Sequence, residues 1–239
     1  MTNRFNSSES LADWIFPCPA FEIDWDRAAL LLIDCQNYGA SSDCGLIPML
    51  VERHSDVAEY YVPRIRHSIS NAQRLLKAFR SVQRDVIFTR HGSLLPSGRD
   101  MIARRQRRDS DARDQSDRPA LWPKGSREYQ IVDELASLDD ELVIDKNSSS
   151  PFNGTGIDQL LRNLKVETLV VVGMATDMCV ETTARDAADR GYNVIVVEDA
   201  VATFCEEHHH AALSAMARVY TQVWTASSVL RQLKSARCC

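Results

Sequence analysis

Residues 170–180 read VVVGMATDMCV, and this stretch decides the fold. A run of apolar, β-branched residues, typical of a buried strand, ends at Gly173 and gives way to a short turn. Cys179 lies where the next helix is expected to begin. The first turn of a helix presents unpaired N–H groups and the positive end of the helix dipole, which together favour a thiolate. A free cysteine in an α/β domain can equally be a small buried apolar residue, so position alone leaves both roles open.

Outward from this stretch, apolar runs alternate with segments of helical periodicity along the whole chain. Strands that alternate with helices are typical of a parallel sheet covered on both faces. We therefore expect an α/β fold of three layers, a doubly wound, mostly parallel six-stranded sheet with helices on both faces. One domain is expected over residues 1–239, with an N-terminal extension over 1–26. The predicted strands are 28–33, 85–89, 141–145, 168–172, 193–197 and 221–224, and the predicted helices are 57–80, 157–164, 179–190, 206–218 and 226–234.

Composition narrows the classes of protein to which the chain can belong. The net charge of −5 leaves no basic surplus for phosphates, so no nucleic-acid partner is expected. No apolar run approaches the roughly 18 residues that span a bilayer, so no membrane partner is expected. The seven cysteines are scattered without a CxxC pair, which favours reduced thiols over a disulfide framework or a zinc ribbon. With no signal-peptide pattern at the N-terminus, we predict a cytoplasmic protein.

One segment, residues 91–127, is rich in arginine and aspartate. Its basic part could be interpreted as a nucleic-acid patch, but aspartates alternate with the arginines, which favours a solvated surface loop. Loops of this length in compact domains are commonly lids or binding loops. We therefore predict a long polar loop that is a candidate lid, with Trp122 near its end as a candidate cover.

Three polar residues follow predicted strands at the edge where ligands bind in an open parallel sheet: Asp34, Lys146 and Cys179. Each also has a structural interpretation, as a loop cap, a surface lysine and a packing residue. Together they form a chemical set. Asp34 can take the thiol proton as general base, Lys146 can hold the carboxylate and favour the thiolate, and the thiolate can attack a carbonyl carbon. Backbone N–H groups of the turn before Cys179 can bind the oxyanion.

A cysteine–histidine pair is the alternative nucleophilic set. His208, His209 and His210 lie at a predicted helix start, but no pattern fixes any of them beside Cys179. An acid–histidine cluster at a helix start is more typical of capping than of catalysis.

The blocks ALLLIDCQN, VIDKNSSSPFNGTGIDQLL and VVVGMATDMCVETTARDAADRGYNVIVVEDA resemble, in this order, those of the isochorismatase-like cysteine hydrolases. That family includes nicotinamidases, N-carbamoylsarcosine amidases, biuret hydrolases and ureidoacrylate amidohydrolases. The resemblance implies a catalytic triad of Asp34, Lys146 and Cys179. It also implies a cis peptide between Met174 and Ala175 that turns the N–H groups of Ala175 and Cys179 toward the oxyanion. Relatives are commonly dimers or tetramers, so a homo-oligomer is expected.

Two departures from the family pattern bear on function. Nicotinamidases of this family bind a metal through an Asp-x-His element, which the sequence lacks, so a metal-dependent nicotinamidase is disfavoured. We expect no metal and no cofactor. Cys35 stands where the family more often has methionine, which we interpret as a packing substitution.

Four residues near the triad are candidate substrate contacts. Asn37 and Tyr38 follow Asp34, Phe152 follows Lys146, and Thr176 lies in the oxyanion turn. Each could also be a packing or hinge residue.

These observations predict a cysteine-dependent hydrolase of C–N bonds in a small linear amide or a ureido or carbamoyl compound. A thioester on Cys179 is the expected intermediate, and a small-molecule substrate the expected partner. Vinyl ether hydrolysis with Asp34 as the acid is one alternative, and a non-catalytic binding protein on the same fold is another. Nucleotide binding is disfavoured because neither a GxGxxG element nor a P-loop occurs.

Overall fold

A computed structural model describes residues 18–116 and 122–236, of which residues 112–116 are described by their backbone alone. Its centre is a six-stranded sheet in the order β3-β2-β1-β4-β5-β6, in which every neighbouring pair is parallel. Helices cover both sides, which confirms the predicted α/β fold. The strands are β1 (Ala28–Ile33), β2 (Val86–His91), β3 (Leu142–Lys146), β4 (Thr168–Met174), β5 (Asn193–Ala202) and β6 (Gln222–Trp224).

Eight α-helices connect these strands in the described part of the chain. Short 3-10 turns, Trp25–Arg27 and Asp133–Leu135, precede β1 and β3, and a π-helical turn, Thr176–Val180, follows β4. None of the described helices is both long enough and apolar enough to cross a bilayer. The helices are α1 (Asn37–Ala40), α2 (Leu46–Arg53), α3 (Ser55–Ser81), α4 (Ala103–Ser116), α5 (Ile157–Asn163), α6 (Glu181–Asp189), α7 (Glu206–Val219) and α8 (Ala226–Ala236).

The central strands are buried on both faces, as their uninterrupted apolar sequences require. All six residues of β1 and all seven of β4 are buried. Alternate residues point to opposite sides. Leu30 and Leu32 pack in the cluster that contains the apolar face of α3, whereas Leu31 and Ile33 pack in the cluster formed with α5, α6 and α7. The two clusters hold the strands from both faces, and polar residues begin where the strands end.

The junction after β4 differs from the predicted strand–helix boundary. Cys179 lies in the π-helical turn Thr176–Val180, and α6 begins only after it, at Glu181. The turn needs a glycine before it, because Gly173 has a φ of 120° and a Cβ there would lie 2.0 Å from the carbonyl oxygen of Ile33. Single π turns of this kind are frequent at functional sites.

The prediction of a loop throughout residues 91–127 is wrong for part of the segment, because α4 occupies residues 103–116. No glycine or proline interrupts residues 99–118, and arginine, alanine and glutamine are good helix formers. The helix escapes detection by periodicity because it has no apolar stripe. Residues 117–121 lie outside the described residues, and the role as a lid stays a prediction.

The end of the predicted N-terminal extension packs against the domain. The backbone N–H of Cys18 donates to the carbonyl of Ala217, and the amide of Gln222 donates to the carbonyl of Cys18 at 2.8 Å. Residues 1–17 of the extension lie outside the described residues.

Candidate active site

The three residues of the predicted chemical set meet at one point beyond the sheet. β1 lies between β2 and β4, so the strand order reverses at β1 and opens a crevice at the carboxyl ends. Asp34 follows β1, Lys146 ends β3, and Cys179 lies in the turn after β4. The Nζ atom of Lys146 lies 2.7 Å from Oδ2 of Asp34, and the charges of both side chains act on the thiol of Cys179.

The carboxylate of Asp34 is fully buried and has donors on both oxygens. Lys146 donates to Oδ2, and the hydroxyl of Thr89, on β2, donates to Oδ1 at 2.6 Å. The backbone at Asp34 has a φ of 48°, in the left-handed region, and its N–H donates to Oγ1 of the same threonine. Burial opposes the charge, but the ammonium of Lys146 and these hydrogen bonds hold the pKa of the Asp34 carboxyl below its usual value. Asp34 is therefore charged at neutral pH.

Lys146 is 1% exposed, which is rare for a lysine. Its Nζ atom donates to Asp34 and to the carbonyl of Ser148, at 3.1 Å. The ion pair and this second bond compensate for part of the cost of removing the ammonium from water.

The thiol of Cys179 is also buried, and its electrostatics differ from the sequence-based expectation. Burial and the negative charge of Asp34 outweigh the positive charge of Lys146 and raise the pKa of the Cys179 thiol to about 12. The expectation that a helix-start position favours the thiolate is therefore wrong for the resting site. The reason is that the π turn places the sulfur beside a carboxylate in a buried site.

The turn that holds Cys179 has the predicted backbone. The peptide between Met174 and Ala175 is cis. The carbonyl of Ala175 accepts the N–H groups of Met178 and Val180, at 3.0 and 3.2 Å, which ties the turn to its first residue. Ala175 and Cys179, the predicted oxyanion donors, thus belong to one ordered loop of backbone.

Thr176 lies in the same turn, but its side chain is fully buried and engaged. Its hydroxyl lies 3.0 Å from Nδ1 of His209, on α7, which is 1% exposed. Of the three consecutive histidines, His209 is therefore the one that faces inward, whereas the side chains of His208 and His210 are 69% and 50% exposed. Contact between Thr176 and a substrate stays a prediction.

Tyr38 lies close to Asp34 and Cys179, and the ring of Trp122 stacks on it. The two rings stack with centroids 4.7 Å apart and planes 12° apart. Burial, together with the neighbouring Asp34 carboxylate and Cys179 thiol, raises the pKa of the Tyr38 hydroxyl. Contact between Tyr38 and a substrate stays a prediction.

The side chains of the other two candidate contacts, Asn37 and Phe152, interact with other residues of the protein. The amide nitrogen of Asn37 donates to the carbonyl of Arg127 at 3.0 Å, and Asn37 lines a surface groove. Phe152 is buried in the cluster that includes Cys179, with its ring 6.0 Å from that of Tyr192. For both residues, contact with a substrate stays a prediction.

His91 is a residue of this site that the sequence analysis missed. It ends β2, and its register partner on β3 is Lys146. Burial and the positive charge of Lys146 lower the pKa of His91 to about 3, so its ring is neutral, and its Nδ1 atom is buried without a hydrogen-bond partner. Gln36 fixes the backbone here, accepting the His91 N–H at 2.7 Å and donating to the His91 carbonyl. The sequence contained a signal for His91, because this residue comes after the predicted strand 85–89, just as Asp34 and Lys146 come after theirs.

The metal site that the resemblance associates with nicotinamidases has no counterpart in the described part of the chain. Within residues 18–116 and 122–236, no group of three or more histidine, cysteine, aspartate or glutamate side chains could hold a metal ion.

Comparisons with known proteins agree with this geometry. A family model described as the isochorismatase domain matches residues 28–228, which include the three site residues. Nicotinamidase 3 of Arabidopsis thaliana is 29% identical over 193 residues, covering 80% of this chain and 80% of that protein. A cysteine hydrolase structure from Pseudomonas syringae pv. phaseolicola 1448A matches with a TM-score of 0.76 and 26% identity, over 92% of this chain and 98% of that one. N-carbamoylsarcosine amidase from Thermoplasma acidophilum matches with a TM-score of 0.61 and 26% identity, over 84% of this chain and 96% of that one.

Proposed function

The chain belongs to the isochorismatase family of hydrolases, and from that premise we propose that it cleaves a C–N bond in a small linear amide or in a ureido or carbamoyl compound. Cys179 is the nucleophile, Asp34 the general base and acid, and Lys146 the group that holds Asp34 in place. The observation that carries the proposal is the charged, fully buried Asp34–Lys146 pair in contact with a neutral thiol. The likeness to N-carbamoylsarcosine amidase supports an amide or carbamoyl substrate.

The first half-reaction forms the thioester. As the sulfur of Cys179 bonds to the substrate carbonyl carbon, its proton passes to Asp34, and the carbonyl electron pair moves onto oxygen. The N–H groups of Ala175 and Cys179 stabilise that oxyanion. When the oxyanion collapses, the C–N bond breaks, and Asp34 returns the proton to the leaving nitrogen.

The second half-reaction restores the enzyme. Asp34, again a carboxylate, takes a proton from water as the water oxygen attacks the thioester carbon. Collapse breaks the C–S bond, the proton returns to sulfur, and the carboxylic or carbamic acid leaves.

The pKa directions define the order of events in the attack. The Asp34 pKa lies below its usual value and that of Cys179 lies at about 12, so a thiolate does not form before substrate binds. Proton transfer to Asp34 becomes favourable only as the C–S bond forms, because the sulfur then shares a lone pair with the carbon and holds its proton less tightly. A buried base beside a neutral thiol therefore suits attack on a bound, polarised carbonyl rather than general reactivity toward electrophiles.

The test is a screen for ammonia release over biuret, N-carbamoyl amino acids, ureidoacrylate, nicotinamide and simple amides. Wild type is expected to hydrolyse at least one, and Cys179→Ala to lose at least about a thousandfold in kcat/KM because the nucleophile is absent. Cys205→Ala is the matched control, since that thiol interacts with Glu207 at the start of α7, outside the triad.

Three results would contradict the proposal. Amide hydrolysis by Cys179→Ala at the wild-type rate would exclude the covalent mechanism. Cleavage of isochorismate by both wild type and Cys179→Ala, with no ammonia from any amide, would favour vinyl ether hydrolysis with Asp34 as the acid. Failure of the wild type on every compound would favour a binding protein.

A further inference from the structure

The residues just before α4 are bonded to the segments that follow β2 and β3. The amide nitrogen of Asn147, the residue after Lys146, donates to the carbonyl of Asp100 at 3.0 Å. The carboxylate of Asp100 accepts the hydroxyl of Ser93 at 2.6 Å and the N–H of Leu94 at 2.7 Å, just beyond β2. Met101, two residues before the helix, is 3% exposed. The start of α4 is therefore anchored to the two strands that carry His91 and Lys146.

Arg105 faces inward on this helix. It is partly buried, whereas its neighbours Arg104, Gln106, Arg107 and Arg108 are exposed. Its positive charge acts on Tyr38, after β1, where it opposes the rise in pKa caused by burial, and on His91, at the end of β2, where it adds to the lowering of the pKa. The partly buried guanidinium of Arg105 is therefore close enough to Tyr38 and His91 for its charge to act on both.

Among the described side chains, none forms an ion pair or a hydrogen bond with the Arg105 guanidinium, and Asp109, one turn further along α4, has an interaction of its own. A guanidinium is pre-organised to bind a carboxylate through two parallel hydrogen bonds.

A second, independent observation points to a ligand at the same place. The Nδ1 atom of His91 is buried and has no hydrogen-bond partner. Buried polar atoms are nearly always paired, and an orphaned one beside a reaction centre is explained when the ligand provides the partner. The ring is neutral, so Nδ1 can pair with a ureido N–H or, in the other tautomer, with a carbonyl or carboxylate oxygen.

We propose that the substrate is an anion, an amide or ureido acid whose carboxylate binds Arg105 while its scissile carbonyl lies at Cys179 and a polar group pairs with His91. This inference rests on the proposed function for the position of the scissile bond. It also gives a role to the basic part of the polar segment. Arg105 is the partly buried member of that basic run, whose other members Arg104, Arg107 and Arg108 are exposed.

The test is a binding comparison in the Cys179→Ala background, where no turnover is needed. The probes are N-carbamoylglycine and N-propylurea, which share the carbamoyl end and differ in carrying a carboxylate or an ethyl group. We expect N-carbamoylglycine to bind more tightly, and Arg105→Gln to weaken its binding roughly 10- to 100-fold, in line with a lost charge-assisted hydrogen bond. Binding of N-propylurea should change less than about twofold, since it makes no such bond.

Two further variants separate recognition from structure. Arg105→Lys keeps the charge but not the paired geometry, so it should lie between wild type and Arg105→Gln. Arg104→Gln removes an exposed charge from the same turn and should change the affinity for N-carbamoylglycine far less.

The proposal is overturned if the acid does not bind, if both probes bind equally, or if Arg105→Gln weakens both by the same factor. Loss of the same size in Arg104→Gln would also overturn it, because the effect would then be general electrostatics. A wild type that releases no ammonia from N-carbamoylglycine, but whose Cys179→Ala variant binds it through Arg105, would count against the proposed reaction and not against the anion site.

Discussion

At the scale of single residues, the Asp34–Lys146 pair holds two opposite charges out of water, with neither side chain exposed. Such a pair gains little net stability over an apolar replacement, but loss of one member leaves an uncompensated buried charge. Its presence is therefore better explained by chemistry than by folding. It keeps Asp34 ionised and oriented in a place where a lone carboxyl would be protonated.

Lys146→Met is expected to lower the free energy of unfolding by about 3–5 kcal/mol, because Asp34 then remains buried without its partner. The double variant Asp34→Asn, Lys146→Met should recover much of that loss, since no charge is left, and asparagine tolerates the left-handed backbone at position 34. Neither protein should turn over substrate. Urea unfolding at pH 7 measures the free energy of unfolding of the single and of the double variant. A single variant as stable as wild type would show that the two charges are not coupled.

At the scale of elements, the π turn Thr176–Val180 is tied to α7 through the Thr176–His209 hydrogen bond. Burial, with the positive charges of Arg64 and His210, lowers the pKa of His209 to about 3, against 6.5 for the free side chain. The unfolded chain therefore binds the proton more tightly than the folded one. The stability linked to His209 is fully present above about pH 6.5 and is lost as the pH falls toward 3.

His209→Gln should reduce the acid sensitivity of the fold. Below about pH 6, one such histidine adds up to about 1.4 kcal/mol per pH unit to the slope of unfolding free energy against pH. Urea unfolding between pH 7 and 4 should show a shallower slope for His209→Gln. The exposed neighbour provides the control, since His208→Gln should leave the slope unchanged. Equal slopes in wild type and His209→Gln would contradict the assignment.

The elements differ in how far sequence could predict them. The strands were predictable because buried strands are continuous apolar runs, as in residues 28–33 and 168–172. α4 was not, because a helix without an apolar face has no periodic signal. The π turn was not, because its extra residue per turn is set by packing after Gly173 rather than by residue type.

At the scale of the whole molecule, parallel strand order explains why the site could be predicted in part. All carboxyl ends of a parallel sheet meet at one edge, so Asp34, Lys146 and Cys179 could be grouped from their places after strands. The elevated pKa of Cys179 and the place of Arg105 could not be predicted. Both features depend on the path that the chain takes between strands. That path is seen in the structure and cannot be derived from the sequence. The cytoplasmic location and the homo-oligomer stay predictions.

The most direct test of the central claim is a search for the covalent intermediate. Wild-type enzyme turning over its best amide substrate is quenched in acid, digested, and analysed by mass spectrometry. The proposed mechanism predicts the acyl or carbamoyl group of the substrate on the peptide that contains Cys179, and its absence in the Cys179→Ala protein. Steady turnover with the modification on another residue, or hydrolysis that persists in Cys179→Ala, would contradict it.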